Sequence, residues 1–417
     1  MRVLMLSWEY PPVMYGGLGR HAHALAESLV CAGHDVTVVS QHAPDAAYDE
    51  VVNGVRVVRA PADPPMIPRD DLLAWVLSLN HSIGRVAVHV ATQGKYDVVH
   101  AHDWVVAHAA ATAKSAAGLP LVATMHATEA GRHQGWLPGA LSRAIHTTEW
   151  WLTYEARRVI TCSSHMRWEV TRLFDLPPAS VDVVPNGIDA AAWSVADDVV
   201  SEARKTYAAD GPLLAYTGRL EYEKGVHTLL RAVPRLRRRF AGLRVVVAGT
   251  GTYEAELRAL ARKLRLGRAV RFTGFVEHDP LAALAAAADV AVVPSIYEPF
   301  GMVALEATAA GTPLVVSDTG GLRELVEHGA TGVLFRAEDV AGLADAVTDV
   351  LSDEIRARRL VRDARQALAG TFTWPAAAQR TADVYRRAVQ EERALQARHA
   401  RPMRVVVRDG NLLSGAP

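Results

Sequence analysis

The segment Tyr297-Glu298-Pro-Phe-Gly301-Met302-Val303-Ala-Leu-Glu306 places two carboxylates around a Pro-Phe-Gly turn, with seven residues between them. It follows the apolar run Val290–Val293, and a helix is expected from about Gly301 to Ala310. Unpaired N–H groups at a helix start, together with the positive end of its dipole, attract an anion. Gly301 lets the backbone approach a phosphate closely. Glu298, just before the turn, is placed to grip sugar hydroxyls. Glu306, a little over one turn into the helix, is placed to reach a ribose. Two acids alone would read as an ordinary first-turn acid and a surface glutamate, but Pro-Phe-Gly between them does not fit a surface helix.

A second motif, Thr217-Gly-Arg219-Leu-Glu-Tyr-Glu-Lys224-Gly225, sets two cations between the run Leu213–Thr217 and a helical stretch Val226–Phe240. Cations beside a helix N-terminus oppose its dipole, so they serve the helix poorly. They serve a diphosphate well, Arg219 as a fork and Lys224 as a point charge. The competing reading is salt bridging to Glu221 or Glu223.

Four more sites fall in the N-terminal half. Tyr15-Gly16-Gly17-Leu18-Gly19 permits close backbone approach to a ligand, although its spacing is not the GxGxxG of a dinucleotide site, and a plain tight turn is an equal reading. His100-Ala-His102-Asp103-Trp104 has metal-ligand spacing. With one adjacent carboxylate and no Asp-x-Asp motif, a structural or sugar-contacting role is expected and no metal. His126, after the run Leu121–Met125, is placed either to contact a sugar hydroxyl or to act as a structural histidine. Glu129, Arg132, His133 and Trp136 form a polar, aromatic loop suited to a carbohydrate acceptor and equally to loop solvation.

Positioning these residues requires strands whose carboxyl ends meet. Apolar runs at Val3–Ser7, Val36–Ser40, Val55–Arg59, Val98–Ala101, Leu121–Met125, Val159–Cys162 and Val181–Val184 alternate with helical stretches such as Leu18–Ala32, Asp70–Ala91 and Val105–Ala117. The pattern pauses at Pro185-Asn-Gly-Ile-Asp189. It resumes at Leu213–Thr217, Val245–Ala248, Val270–Thr273, Val290–Val293, Leu314–Ser317 and Val333–Phe335. The expected class is α/β, with two Rossmann-like, doubly wound parallel-sheet domains facing a cleft. The expected spans are 1–190 and 191–372, a helix at 373–397 packing back on the first domain, and a tail at 398–417. Thr373 is suited to cap that helix and Pro375 to its first turn.

The 417 residues carry 45 basic and 45 acidic side chains, a balance that argues against nucleic acid or an anionic membrane as the main partner. The run Arg235-Leu-Arg-Arg-Arg239 reads as the solvated face of its helix. Cys31 and Cys162, the two cysteines, read as small buried residues of a reducing cytosol. Trp150 and Trp151 are expected to pack in a core. No basic-apolar signal precedes the first strand, and the run Leu281–Val293 is too short to span a bilayer. A cytoplasmic protein is expected.

Taken together, Gly218-Arg-Leu-x-x-x-Lys224-Gly225 and the Glu298–Glu306 pair resemble family 4 glycosyltransferases of the GT-B fold, from about Arg2 to Ala397. His102-Asp103-Trp104 and Thr319-Gly320-Gly321-Leu322 resemble motifs of α-glucan synthases. Ser7-Trp-Glu-Tyr-Pro-Pro12 and His126-Ala-Thr-Glu-Ala-Gly-Arg132-His133 are most similar to actinobacterial α-1,4-glucosyltransferases of glycogen and methylglucose lipopolysaccharide assembly. The resemblance implies a retaining, metal-free transfer of glucose from UDP-glucose or ADP-glucose to an α-1,4-glucan or related oligosaccharide. It implies a catalytic set of Arg219, Lys224, Glu298, His126 and Asp103. Donor contacts would come from Gly16, Gly17, Val276, Gly301, Met302, Val303 and Glu306, and acceptor contacts from Glu9, Asp103, Glu129, Arg132 and His133. It implies no cofactor beyond the donor, and a homo-oligomer is left open. Met14 and Tyr15 stand where ADP-glucose-dependent bacterial enzymes of the family carry Lys-Thr, so an ADP-only preference is not implied. Another family 4 transferase, such as a lipid-linked mannosyltransferase, or a nucleotide-sugar epimerase are the alternatives.

Overall fold

The structure, a computed structural model, describes residues 1–62, 67–68, 70–208 and 210–399. Most of the expected tail, from 400 onward, and Arg69 lie outside the described residues. The Val-, Leu- and Ala-rich runs have no polar face, so each strand needs cover on both sides. They build two sheets. The first holds β1 (Arg2–Leu6), β2 (Asp35–Gln41), β3 (Asp49–Val52), β4 (Val55–Ala60), β5 (Val98–His102), β6 (Leu121–Met125), β7 (Arg158–Thr161) and β8 (Val181–Val183). The second holds β9 (Leu213–Thr217), β10 (Arg244–Ala248), β11 (Val270–Gly274), β12 (Val290–Val293), β13 (Leu314–Ser317) and β14 (Val333–Phe335).

Their orders are β3-β4-β2-β1-β5-β6-β7-β8 and β11-β10-β9-β12-β13-β14. The sheets are parallel except where β3 pairs antiparallel with β4. Strand order reverses between β1 and β5 and between β9 and β12, which opens a crevice at the carboxyl edge of each sheet. Most of the loops carrying the candidate chemistry leave from those four strands and from neighbouring β6, with Val276 following β11 and Thr319–Leu322 following β13.

The amphipathic stretches form helices at Gly17–Cys31, Leu72–Gln93 and Val226–Arg239, and the stretch from Val105 becomes a 3-10 turn at Trp104–Val106 followed by a helix at Ala107–Ala117. Arg235, Arg237, Arg238 and Arg239 lie on the exposed face of their helix. The sequence reading does not anticipate β3, whose Asp49 and Glu50 interrupt any apolar run. Its hairpin turns at Asn53-Gly54, with φ of 50° and 81°, the dipeptide suited to a two-residue turn with both central residues at positive φ. Two further expectations are corrected. Cys162 is buried, but Cys31 ends its helix in solvent. Trp151 packs against the core, while Trp150 projects outward.

The last helix, Trp374–His399, returns to the first domain. Thr373 Oγ1 accepts the N–H of Ala376 at 3.3 Å. Ala377, Ala378, Ala382, Val384, Tyr385 and Ala388 share a core with Val3, Met5, Leu25, Leu29 and Val98. Tyr385 is fully buried, and its hydroxyl lies 2.7 Å from His100 Nδ1. Among the described residues no helix is long and apolar enough to cross a membrane.

Because the first domain's core is completed by a distant helix, Tyr385→Ala is expected to cost about 3–5 kcal/mol. Tyr385→Phe, which only leaves a ring nitrogen unpartnered, is expected to cost about 1–3 kcal/mol. Urea unfolding followed by tryptophan fluorescence measures both.

Candidate active site

The loop after β9 and the loop after β12 are held in contact by backbone. A Cβ on Gly225 would come within 1.9 Å of the Pro294 carbonyl oxygen, and φ at Gly225 is 66°. The N–H groups of Ile296 and Tyr297 donate to the Glu223 carbonyl at 2.7 and 3.2 Å. This contact brings Lys224 Nζ to 2.9 Å from Glu298 Oε2, with both side chains mostly buried. Ser295 Oγ donates to the same Glu298 oxygen at 3.1 Å. Arg219 lies at the mouth, 3.4 Å from Glu223. Glu221 is directed elsewhere, toward the N–H of Thr252.

Helix Met302–Ala310 starts at Gly301, with φ of 114° and no side-chain cap. A Cβ at Gly301 would reach 2.6 Å from Leu322 Cδ2. Thr319-Gly320-Gly321-Leu322 therefore lies directly beneath the Glu298–Gly301 turn, and Gly321 N–H donates to the Glu298 carbonyl at 2.8 Å. The free N–H groups of Met302 and Val303 head this helix. Glu306, one turn further on, is buried, and its Oε1 lies 2.6 Å from Arg20 Nη1 of the opposite domain. Val276 is half-buried against the second domain's core, next to the strongly exposed Phe275.

On the facing domain, Gly16 and Gly17 open helix Gly17–Cys31 with open space around both. Glu9 is buried beneath them. Its Oε2 accepts the N–H groups of Tyr15 and Gly16 at 2.8 and 3.0 Å. Through Oε2, the carboxylate of Glu9, expected to touch the acceptor, fixes the glycine loop.

Asp103 likewise holds backbone. It is buried, at a φ of 61°, and accepts the His126 N–H at 2.9 Å. Burial raises its carboxyl to about 6, against the pull of that N–H. Asp103 thus orients the His126 backbone. Burial also lowers His126, to about 4, so its ring is neutral near pH 7. The ring is half-buried at the end of β6.

The acceptor-like loop is partly self-contained. Glu129 Oε1 takes Ser142 Oγ at 2.6 Å and lies 3.2 Å from His133 Nε2. Arg132 reaches across to Glu223 at 3.7 Å, and His133, Gln134 and Trp136 are exposed. Of this loop, Arg132 and His133 keep access to a bound molecule, while Glu129 is mainly internal.

Several residues the sequence reading passed over join the two domains. Tyr297 Oη donates to Glu169 Oε1 at 2.9 Å and accepts the Thr128 N–H at 3.2 Å. Thr128 Oγ1 reaches the same Glu169 oxygen at 2.5 Å. Glu324 caps helix Ser164–Phe174, accepting the N–H groups of Ser164 and His165 at 2.9 and 2.8 Å. Ser163 Oγ donates to the Pro299 carbonyl at 2.7 Å. Arg20 had a signal: it is a cation in the first turn of a helix, where the dipole disfavours it. Glu169 and Glu324 had none, since each is an ordinary helix residue until the domains meet.

The arrangement is a cleft with two cations and a bare helix N-terminus on one wall, a carboxylate on either side of that terminus, and a glycine loop and neutral histidine opposite. It can hold a diphosphate between hydroxyl-binding acids. Residues 15–192 match the family model Glycosyltransferase Family 4, and residues 201–367 match Glycosyl transferases group 1. A glycogen synthase from Mycobacterium tuberculosis is 49% identical, covering 97% of this chain and 100% of the relative. A D-inositol 3-phosphate glycosyltransferase from Acidothermus cellulolyticus is 32% identical, covering 91% and 87%. Among solved structures, sucrose-phosphate synthase from Thermosynechococcus elongatus superimposes with a TM-score of 0.80 at 25% identity, covering 94% and 99%. The two sheets, the cleft between them and these full-length likenesses show that the chain belongs to glycosyltransferase family 4 and is a glycosyltransferase of the GT-B fold.

Proposed function

We propose that this enzyme transfers glucose, with retention and without a metal in the bond-breaking step, from UDP-glucose or ADP-glucose to the non-reducing end of an α-1,4-glucan or related oligosaccharide. The observation that carries the transfer chemistry is the Lys224–Glu298 pair, set between the β9 and β12 loops beside the free helix N-terminus at Gly301. The likeness to a glycogen synthase over nearly the whole chain, at 49% against 32% for the inositol phosphate enzyme, favours the glucan acceptor.

In this reading the donor's diphosphate lies against the N–H groups of Met302 and Val303. Lys224 and Arg219 turn from their carboxylates toward it. As the bond from the sugar's anomeric carbon to the phosphate oxygen breaks, negative charge grows on that oxygen, and the two preorganised cations stabilise it. Glu298, released from Lys224, holds the sugar hydroxyls. Glu306 holds the ribose, which must displace the Arg20 guanidinium. Val276 lines the base site. Gly16 and Gly17 close over the phosphates, and His126 contacts the sugar near the reacting carbon. Arg132 and His133 lie where an acceptor would enter. Glu9 and Asp103 act at one remove, by fixing the glycine loop and the His126 backbone.

Lys224→Ala is expected to lower kcat by about 100–1,000-fold with a smaller change in donor affinity. Glu306→Ala is expected to raise the donor KM by about 10-fold or more, with kcat less affected. Steady-state kinetics with calorimetric donor binding separate the two, and the opposite split would exchange their roles. For the substrates, incubation with UDP-glucose, ADP-glucose and GDP-mannose, with and without maltooligosaccharides, should show acceptor-dependent nucleotide release and chain elongation from a glucose donor. Nucleotide release indifferent to acceptor, or elongation from none of the glucose donors, sinks the reading.

A further inference from the structure

No lysine or arginine other than Arg20 occurs between Arg2 and Arg56. Arg20 stands in the first turn of helix Gly17–Cys31, where the positive end of the dipole repels a cation. Across the cleft, Glu306 stands in helix Met302–Ala310. Arg20 is three residues past Gly17 and Glu306 four past Met302, so each is about one turn from its helix start. Helical side chains lean toward the start of their own helix. The Arg20 Nη1–Glu306 Oε1 contact of 2.6 Å is therefore flanked by two helix starts from opposite walls. Neither helix has a side-chain cap or an acid in its first turn. Both ends attract an anion, and both repel the guanidinium between them.

The contact is also incomplete on each side. A guanidinium offers several N–H donors in a fork that matches a carboxylate or a phosphate with two parallel bonds. Arg20 uses Nη1 alone, and makes no other hydrogen bond among the described residues. The Glu306 side chain is 5% exposed, yet its Oε2 takes no donor among the described residues. The arginine is 43% exposed, so it turns away without leaving a cavity.

We propose that Arg20 is a ligand of the donor's diphosphate, held on Glu306 while the site is empty. The inference rests on the nucleotide-sugar reading above, in which Glu306 takes the ribose. Donor entry then exchanges partners. The ribose hydroxyls take the Glu306 oxygens, and the guanidinium turns to the phosphates, whose charge offsets both helix ends and whose oxygens accept its fork. The bridge between domains passes from protein to donor, because Arg20 belongs to the first domain and Glu306 to the second. The exchange makes the two halves of a nucleotide unequal. A bare nucleoside breaks the Arg20–Glu306 pair and gives Arg20 nothing in return. A nucleoside diphosphate supplies the anion that Arg20 lacks.

The test measures binding to wild type, Arg20→Leu and Arg20→Lys. UDP and ADP are titrated by calorimetry, and uridine and adenosine are used to displace whichever diphosphate binds. Arg20→Leu is expected to weaken the diphosphate about 10–100-fold and to tighten the matching nucleoside about 2–5-fold. Arg20→Lys, which keeps the charge and loses the fork, should recover part of the diphosphate affinity. A residue that merely joins the domains shifts both ligands in the same direction, and that result overturns the inference. So does diphosphate affinity unchanged in Arg20→Leu, or a nucleoside that displaces nothing from either protein. If wild type binds neither UDP nor ADP, the nucleotide-sugar reading itself falls. If wild type binds one of them and the two shifts do not have opposite signs, only the role of Arg20 falls.

Discussion

The close approach of Gly225 to the Pro294 carbonyl is the contact on which the rest of the site depends. Any side chain at Gly225 would collide with that oxygen. The collision-free backbone lets the β9 loop lie flat on the β12 loop, with Glu223 accepting two N–H groups from the far side. Only then does Lys224 stand beside Glu298, three residues before Gly301. Gly320 and Gly321 do the same from below, where a Cβ would lie 2.1 Å from the Glu298 carbonyl and 2.5 Å from that of Pro299. The charged groups are thus positioned by close backbone packing at glycines, which leaves the side chains free for a ligand.

The facing wall is organised by buried polar groups. Glu9 holds the glycine loop, Asp103 holds the His126 backbone, and Glu169 takes both Tyr297 and Thr128 from opposite domains. An acid placed this way contributes through the N–H and hydroxyl donors it fixes, because removing it takes away their acceptor. The bridges between domains differ in kind. Tyr297–Glu169 is buried, whereas Arg20–Glu306 joins a half-exposed arginine to a buried acid. The second can open when a competing hydroxyl or phosphate arrives, and the first favours keeping the two sheets apposed.

Much of this was legible beforehand. Strands, the main helices and the four chemical loops follow from apolar runs and glycine spacing, which are local properties. The strand β3 escaped because its exposed residues have no core to face, although Asn53-Gly54 marked its turn. Cys31 was expected inside on grounds of residue type, yet it falls on the last turn of a helix on its solvent side. Glu9, Asp103 and Glu129 were assigned to an acceptor because they sit in loops at the correct strand ends. Each also takes a backbone or hydroxyl donor, from 6 to 23 residues away in the chain, which no local pattern announces.

What the sequence by itself determined is the alternation of strands and helices, the doubly wound class, and the pairing of cations and acids at Arg219, Lys224, Glu298 and Glu306 on which the proposed function rests. Each is encoded within a window of about ten residues, where the period of a helix or strand settles which side chains share a face. The tertiary structure alone decided that Arg20 meets Glu306 from 286 residues away and that Tyr385 closes the first domain's core. Those pairings depend on how two sheets and a returning helix pack. No local spacing carries that information, and buried polar atoms select their partners only once packing has excluded water.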